Sequence, residues 1–297
     1  DDFLNGRTTP VFFGSAINNF GVEMLLSKFC EIAPAPLPRF SIQRIVEPQE
    51  KEFSGFIFKI QANMDAKHRD RIAFMRVCSG RFEKGMDAYH VRLEKRVRVG
   101  STFQFLASQR SQVDEAVAGD IIGLYDTGDF KIGDTLTQRE SLSFLGIPNF
   151  APELFRKVIL TSPLKSKQLR RGLQQLCEEG ASQVFFPQNS NDIVVGVVGQ
   201  LQFEVIQFRL ENEYGAGAKF EPCAYRLARW VVPKADQVQK FSSVLDALSK
   251  SYDTVLSKDA EERWAILVSS DYALNKAQER YPEVDFLRTS ETVSRGN

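Results

Sequence analysis

The sequence predicts a multidomain chain of mixed α and β structure. A β-barrel is followed by a ferredoxin-like α/β domain and preceded by the tail of another α/β unit. Three observations predict it. Short segments rich in aromatic and β-branched residues, separated by glycine turns and lacking helical periodicity, occupy the middle of the chain. Strand and helix patterns then alternate to the C-terminus. A proline-rich run, Ala33-Pro34-Ala35-Pro36-Leu37-Pro38, separates the front of the chain from the rest.

From the N-terminus, residues 11–14 form a short apolar run expected as a strand, followed by a loop over 15–21. Val22, Leu25, Leu26 and Phe29 then recur at the spacing of one helical face, which predicts a helix over 22–32. Residues 1–38 are thus the last strand and helix of an α/β domain plus its linker, and the abrupt opening reads as a cut inside that domain. The barrel, 39–150, is expected to carry strands at 53–60, 71–78, 88–93, 102–106 and 120–125. Its turn signals are Ser79-Gly80, Lys84-Gly85, Val99-Gly100 and Gly119-Asp120. In 151–297 the pattern reads strand 156–160, helix 165–178, strands 183–187 and 193–198, helix 201–213 and strand 219–223. The same βαββαβ order then recurs: strand 227–232, helix 235–250, strands 254–257 and 264–269, helix 272–281 and strand 284–287.

Composition narrows the function. With 43% hydrophobic and 26% charged residues among 297, the chain can build sizeable cores and is not a disordered segment. Lys plus Arg equals Asp plus Glu, 38 each, so any preference for a polyanion must come from local clustering. The four cysteines show no paired spacing, which fits a reduced, cytoplasmic compartment, and two histidines are poor material for a metal site. No apolar run is long enough for a membrane helix. No GxxxxGK-[ST] motif is present, Asp120-Ile121-Ile122-Gly123 reads as a turn entering a strand, and Gly196 to Gly199 lacks the spacing of a dinucleotide loop. The adjacent carboxylates Glu178 and Glu179 read as solvated helix-end charges, and no residue presents itself as catalytic.

Two basic clusters stand out. Between Asp65 and Arg110, eleven Lys and Arg face five acids, and Lys67, His68, Arg69 and Arg71 are the contact candidates there. Lys165, Lys167, Arg170 and Arg171 open a helix, where the macrodipole disfavours cations. Charge placed against the dipole suggests phosphate contact, with an ordinary solvated face as the alternative. Phe56, Phe58, Phe74 and Phe103 read as core rather than as a stacking platform for bases.

Three stretches carry a family resemblance: residues 64–86 (MDAKHRDRIAFMRVCSGRFEKGM), 116–124 (AVAGDIIGL) and 183–214 (QVFFPQNSNDIVVGVVGQLQFEVIQFRLENEY). Together they resemble the later part of a translational GTPase, most closely of the class II peptide chain release factors. Gly199-Gln200-Leu201-Gln202-Phe203-Glu204 is similar to a stretch of elongation factor G, but Gln202 and Phe203 favour the release factors. Gly14-Ser15-Ala16-Ile17 matches the family's last guanine-contacting loop in sequence and context. The resemblance implies that Ser15, Ala16 and Ile17 form one edge of a nucleotide pocket whose remainder lies upstream. It also implies a domain II-type barrel against small-subunit ribosomal RNA and a domain III-type C-terminal domain contacting the ribosome. The intact protein would then bind and hydrolyse GTP with Mg, leaving GDP, and drive class I release factors from the ribosome, whereas this chain alone would be inactive and bind no nucleotide well. A cytoplasmic monomer without membrane or DNA partners is expected. The alternative is a non-catalytic RNA-binding or ribosome-assembly module using the same barrel.

Overall fold

A computed structural model of the chain describes residues 2–3, 7–62, 71–100, 102–106, 109–145 and 151–290. The chain divides into two compact units. One comprises Asp1–Phe56, Arg76–Ile122 and Thr135–Leu145, the other Ile57–Met75, Gly123–Asp134 and Gly146–Asn297.

At the front, α1 (Val22–Ile32) spans the expected residues, but none of them is buried. Residues 11–14 form no strand and have no ladder partner among the described residues, which corrects the expected strand; an isolated bridge, Ser15 to Phe20, closes the following loop. A strand needs a neighbouring ladder for its backbone groups, and none is paired with these residues here.

Among the described residues the barrel contains twelve strands where the pattern predicts five. They are β1 (Arg39–Phe40), β2 (Ile45–Val46), β3 (Ser54–Ala62), β4 (Arg71–Ser79), β5 (Arg81–Glu83) and β6 (Asp87–His90). After them come β7 (Lys95–Arg98), β8 (Thr102–Leu106), β9 (Gln109–Gln112), β10 (Glu115–Val117), β11 (Ile121–Tyr125) and β12 (Thr135–Thr137). Eight of them form one sheet in the order β7-β6-β12-β3-β4-β11-β8-β9, with β1–β2 and β5–β10 as separate pairs. The long strands β3 and β4 are buried almost continuously rather than alternately, which suits sheet packed on both faces. Gly80 follows β4 with φ +66, and a Cβ there would stand 2.6 Å from the Glu52 backbone, so the turn admits only glycine.

The C-terminal region is a doubled ferredoxin-like fold. Its first half runs β13 (Leu154–Leu160), α2 (Ser166–Glu178), β14 (Gln183–Pro187), β15 (Val194–Val197), α3 (Gln200–Asn212) and β16 (Ala218–Pro222). The second runs β17 (Leu227–Pro233), α4 (Phe241–Ser249), β18 (Thr254–Asp259), β19 (Trp264–Val268), α5 (Asp271–Arg280) and β20 (Val284–Leu287). One eight-stranded sheet joins them in the order β16-β13-β15-β14-β18-β19-β17-β20. Each half has the order fourth-first-third-second, and the second strands meet at the seam, where Phe185, Phe186 and Pro187 pair with Asp259, Lys258 and Ser257.

Successive side chains go to opposite faces of the sheet, and central strands such as β15 and β19 are buried on both. On the helical side, Val158, Val184, Val195 and Val197 pack with Leu169, Leu173, Phe203, Ile206 and Leu210. A second cluster there joins Val231, Leu256, Ile266 and Val268 to Val244, Leu248, Leu274 and Ala277. On the other side a single layer crosses the seam: Phe155, Phe185 and Val194 from the first half meet Ala228, Trp230, Ala265 and Leu267 from the second. The rings of Phe155, Phe185 and Trp230 lie in series at 6.2 and 6.1 Å. The Trp230 indole N–H donates to Asp259 at 2.8 Å, and the same oxygen receives Arg263 Nε at 2.7 Å. No helix among the described residues is long and apolar enough to cross a membrane.

Candidate nucleic-acid interface

The four cations predicted to open a helix do so, on one exposed stripe of α2. The helix buries Leu169, Gly172, Leu173 and Leu176. Lys167, Arg170, Arg171 and Gln174 recur three and four residues apart on the opposite side, and all are exposed, as is Lys165 at the N-cap. The N-terminus has no side-chain cap and no acidic residue in its first turn, so nothing local offsets their charge. Other surface cations are neutralised: Arg81 pairs with Glu115, Lys84 with Asp114, Lys157 with Asp192 and Lys276 with Asp253. Among the described residues no carboxylate pairs with Lys165, Lys167, Arg170 or Arg171.

The backbone of α2 is set against α3 by Gly172. A Cβ at this position would lie 2.8 Å from Leu210 Cδ2 and 2.9 Å from Tyr214 Cγ, so the missing side chain is what permits the close approach. Beside the basic stripe lies a groove of about 360 Å³, lined by Arg170 and Gln174 of α2, Val184, Phe186 and Gln188 on and after β14, Lys258 and Ala260, Glu262 and Trp264. The Arg170 guanidinium sits 5.4 Å from the centre of the Phe186 ring, and the Lys258 ammonium 5.1 Å from that of Trp264.

The other candidate positions fare differently. Lys67, His68 and Arg69 lie outside the described residues. Arg71 is corrected from a surface contact to a buried hub: its Nε donates to Asp126 at 2.5 Å, Nη1 to Glu178 and Nη2 to the Phe130 carbonyl at 3.0 Å. Burial opposes its charge, but the hydrogen bonds it donates to Glu178 and Asp126 outweigh it and raise the pKa above the ordinary arginine value. With all three side-chain nitrogens engaged, Arg71 is not placed to hold a phosphate. The carboxylates expected to be solvated are also engaged. Glu178 holds Arg71, and Glu179, 6% exposed in its side chain, receives Arg209 Nη1 at 2.6 Å and the Ala62 N–H at 3.0 Å.

The exposed basic strand of the barrel is instead β7, whose Lys95, Arg96 and Arg98 are all exposed and which forms one edge of its sheet. Its sequence signal is Lys-Arg-Val-Arg directly after the turn at Glu94, whose φ is +49. Such a charged edge also discourages strand addition by other chains.

Ser15, Ala16 and Ile17 sit in an exposed closed loop. The Ser15 N–H is given to Phe20 O at 2.9 Å, and Ser15 Oγ accepts Asn18 N–H at 3.3 Å. The loop is pinched by Gly14 and Gly21: a Cβ on Gly21 would stand 2.6 Å from Phe13 O. Ala16 and Ile17 retain backbone N–H groups that no described residue accepts, as an edge for a carbonyl such as that of guanine requires. No described cluster of His, Cys, Asp and Glu could hold a metal ion, and the sequence holds no phosphate loop.

Two family models match consecutive parts of the chain. Residues 52–139 match the family model described as Elongation factor G domain 2. Residues 144–278 match that of Class II release factor RF3, C-terminal domain. A crystal structure of a protein from Thermus thermophilus has a similar fold, with a TM-score of 0.56 at 17% identity over 79% of this chain. The present chain spans 41% of the length of that structure. With a domain 2-type barrel match and a release-factor C-terminal domain match consecutive in one chain, this protein is similar to the C-terminal portion of a translational GTPase of the class II release factor kind.

Proposed function

We propose that this chain is the ribosome-binding part of a GTP-dependent peptide chain release factor, acting in the cytoplasm to promote dissociation of class I release factors after termination. The observation that carries the proposal is the stripe of Lys165, Lys167, Arg170 and Arg171. Lys167, Arg170 and Arg171 are exposed on one face of α2 and Lys165 at its N-cap, none with a carboxylate partner among the described residues, on a helix whose N-terminus gains nothing from them. An unpaired positive surface of this kind gains its free energy when phosphates displace counterions, so its partner is a polyanion such as ribosomal RNA. Barrel strand β7 offers a second exposed basic surface.

In this reading GTP and its magnesium are held by a domain ahead of residue 1, with Ser15, Ala16 and Ile17 contributing only the purine edge. The nucleotide would supply the energy that couples binding to release. The chain's own residues position the barrel and the α/β domain and supply phosphate contacts. No class I release factor surface is assigned to a residue.

The test is ribosome pelleting of the full-length factor with all four α2 cations reversed to glutamate. Loss of co-sedimentation across a salt series, with unchanged circular dichroism, is the expected result. Unchanged pelleting at every salt concentration would overturn the reading.

A further inference from the structure

The two halves of the C-terminal sheet join edge to edge at β14 and β18, but their helices do not meet over that seam. α2 and α3 cover the first half and α4 and α5 the second, each over its own core. The sheet between the helical layers is left as the floor of the 360 Å³ groove. Three residues directly opposite one another cross this floor: Phe186 on β14 pairs with Lys258 on β18, and Lys258 with Trp264 on β19. The row reads aromatic, cation, aromatic. Arg170 reaches in from α2 over the Phe186 ring.

We propose that this groove is a binding site for an unpaired RNA nucleotide, its base stacked against the Phe186, Arg170 and Trp264 side chains and its phosphates held by the α2 stripe. The site deepens the ribosome-contact reading above and rests on it. The chemistry of the lining selects this occupant. Aromatic rings partly open to solvent and an exposed guanidinium plane offer flat faces to a base of any identity. The side-chain amides of Gln174 and Gln188 each carry both a donor and an acceptor suited to base edges. Lys258 is already offset by Glu262 at 2.7 Å, so the net positive charge of the lining comes from Arg170 on the α2 wall, with Lys167 and Arg171 exposed farther along the same helix. That puts positive charge on the helix side and a neutral floor beneath it, as a nucleotide with its phosphate toward α2 requires. A duplex keeps its bases stacked inside and cannot present one to this floor.

The chain carries its own reporter. It has two tryptophans, Trp230, 1% exposed in the layer on the opposite face, and Trp264 in the groove. Titration of the full chain with single-stranded hexauridylate and hexaadenylate should quench Trp264 emission saturably, and the apparent affinity should fall with salt. A blunt RNA duplex of equal charge should leave emission unchanged. Phe186→Leu, which removes the ring but keeps an apolar side chain, and the surface substitution Arg170→Glu should each weaken single-strand binding by about tenfold. Trp264→Phe should abolish the quench and retain binding by gel shift. Binding of single strands without any change in Trp264 emission, or no binding at all, would overturn the groove. An equal quench by hexaglutamate would overturn it in favour of an acidic peptide. Any of these failures leaves the pelleting result with the α2 variant standing, so the groove and the wider reading fail separately.

Discussion

Replacement of Glu179 by alanine removes three contacts at once, and its cost can be worked from the geometry. The carboxylate side chain is 6% exposed and accepts Arg209 Nη1 at 2.6 Å, Arg209 Nη2 at 3.2 Å and the Ala62 N–H at 3.0 Å. Arg209 keeps Glu213 at 2.7 Å and a side chain 16% exposed, so its charge is not stranded, and its lost bond costs about 1.5 kcal/mol, the low end for a charged hydrogen bond. The Ala62 amide loses its acceptor where water has little access, at about 1–2 kcal/mol more. Glu179→Ala should therefore destabilise by about 3 kcal/mol, and Glu179→Gln, which keeps a carbonyl for Ala62, by about half that. Glu178→Ala should cost about 1 kcal/mol, because Arg71 retains Asp126 and Phe130. Urea denaturation measures all three, read as a shift of midpoint at constant slope. A Glu179→Ala cost below about 0.5 kcal/mol, the value for an exposed ion pair, would refute the claim that this carboxylate is a buried acceptor.

Other consequences follow from single side chains. The Tyr214 hydroxyl is buried without a hydrogen-bond partner among the described residues, and burial beside Glu179 pushes its pKa up to about 12; Tyr214→Phe should leave stability unchanged or raise it by up to about 1 kcal/mol in the same denaturation assay. Burial likewise pushes the Cys177 thiol up to about 12 and Cys78 to about 11, so at pH 8 iodoacetamide should label exposed Cys30 in the native protein and reach these two only after unfolding, as read by peptide mass. Because these two pKa values are raised on folding, their contribution to stability is complete below 9.0 and lost as pH climbs towards 11 and 12, which a series of melts can follow. Gly80→Ala forces a Cβ to within 2.6 Å of the Glu52 backbone at φ +66 and should lower the melting midpoint by a cost of about 2 kcal/mol or more.

The parts of the molecule that were legible in the sequence are those set by local periodicity. Helix α1 and strands β8, β14 and β20 lie at the expected residues because each carries its full pattern within its own length. The doubled βαββαβ order was readable for the same reason. The short strands β1, β5, β10 and β12 were not, since two or three residues are too few to establish a period of two. β7 was hidden by its charges, which mark an edge rather than a core strand. The basic stripe on α2 was legible because helix dipole and spacing are local properties that need no distant partner. Arg71 and Glu179 were misjudged because their partners, Glu178 and Arg209, lie 107 and 30 residues away in sequence. The groove floor depends on which strands meet at the seam, and no local pattern encodes the neighbour of β14.

The seam also governs how the C-terminal domain comes apart. Among the described residues three residue pairs bridge β14 and β18, with one further bond from the Gln188 N–H to Leu256 O at 2.9 Å, a ladder that could be peeled by a modest load if it stood alone. The aromatic layer behind it prevents this, since parting the halves would strand Phe185 and Trp230, whose rings stand 6.1 Å apart across the seam, in water. Neither half can thus melt while the other persists. Backbone amides along this ladder should exchange with deuterium only through global unfolding of the domain, so two units of duplicated topology behave as one cooperative foldon.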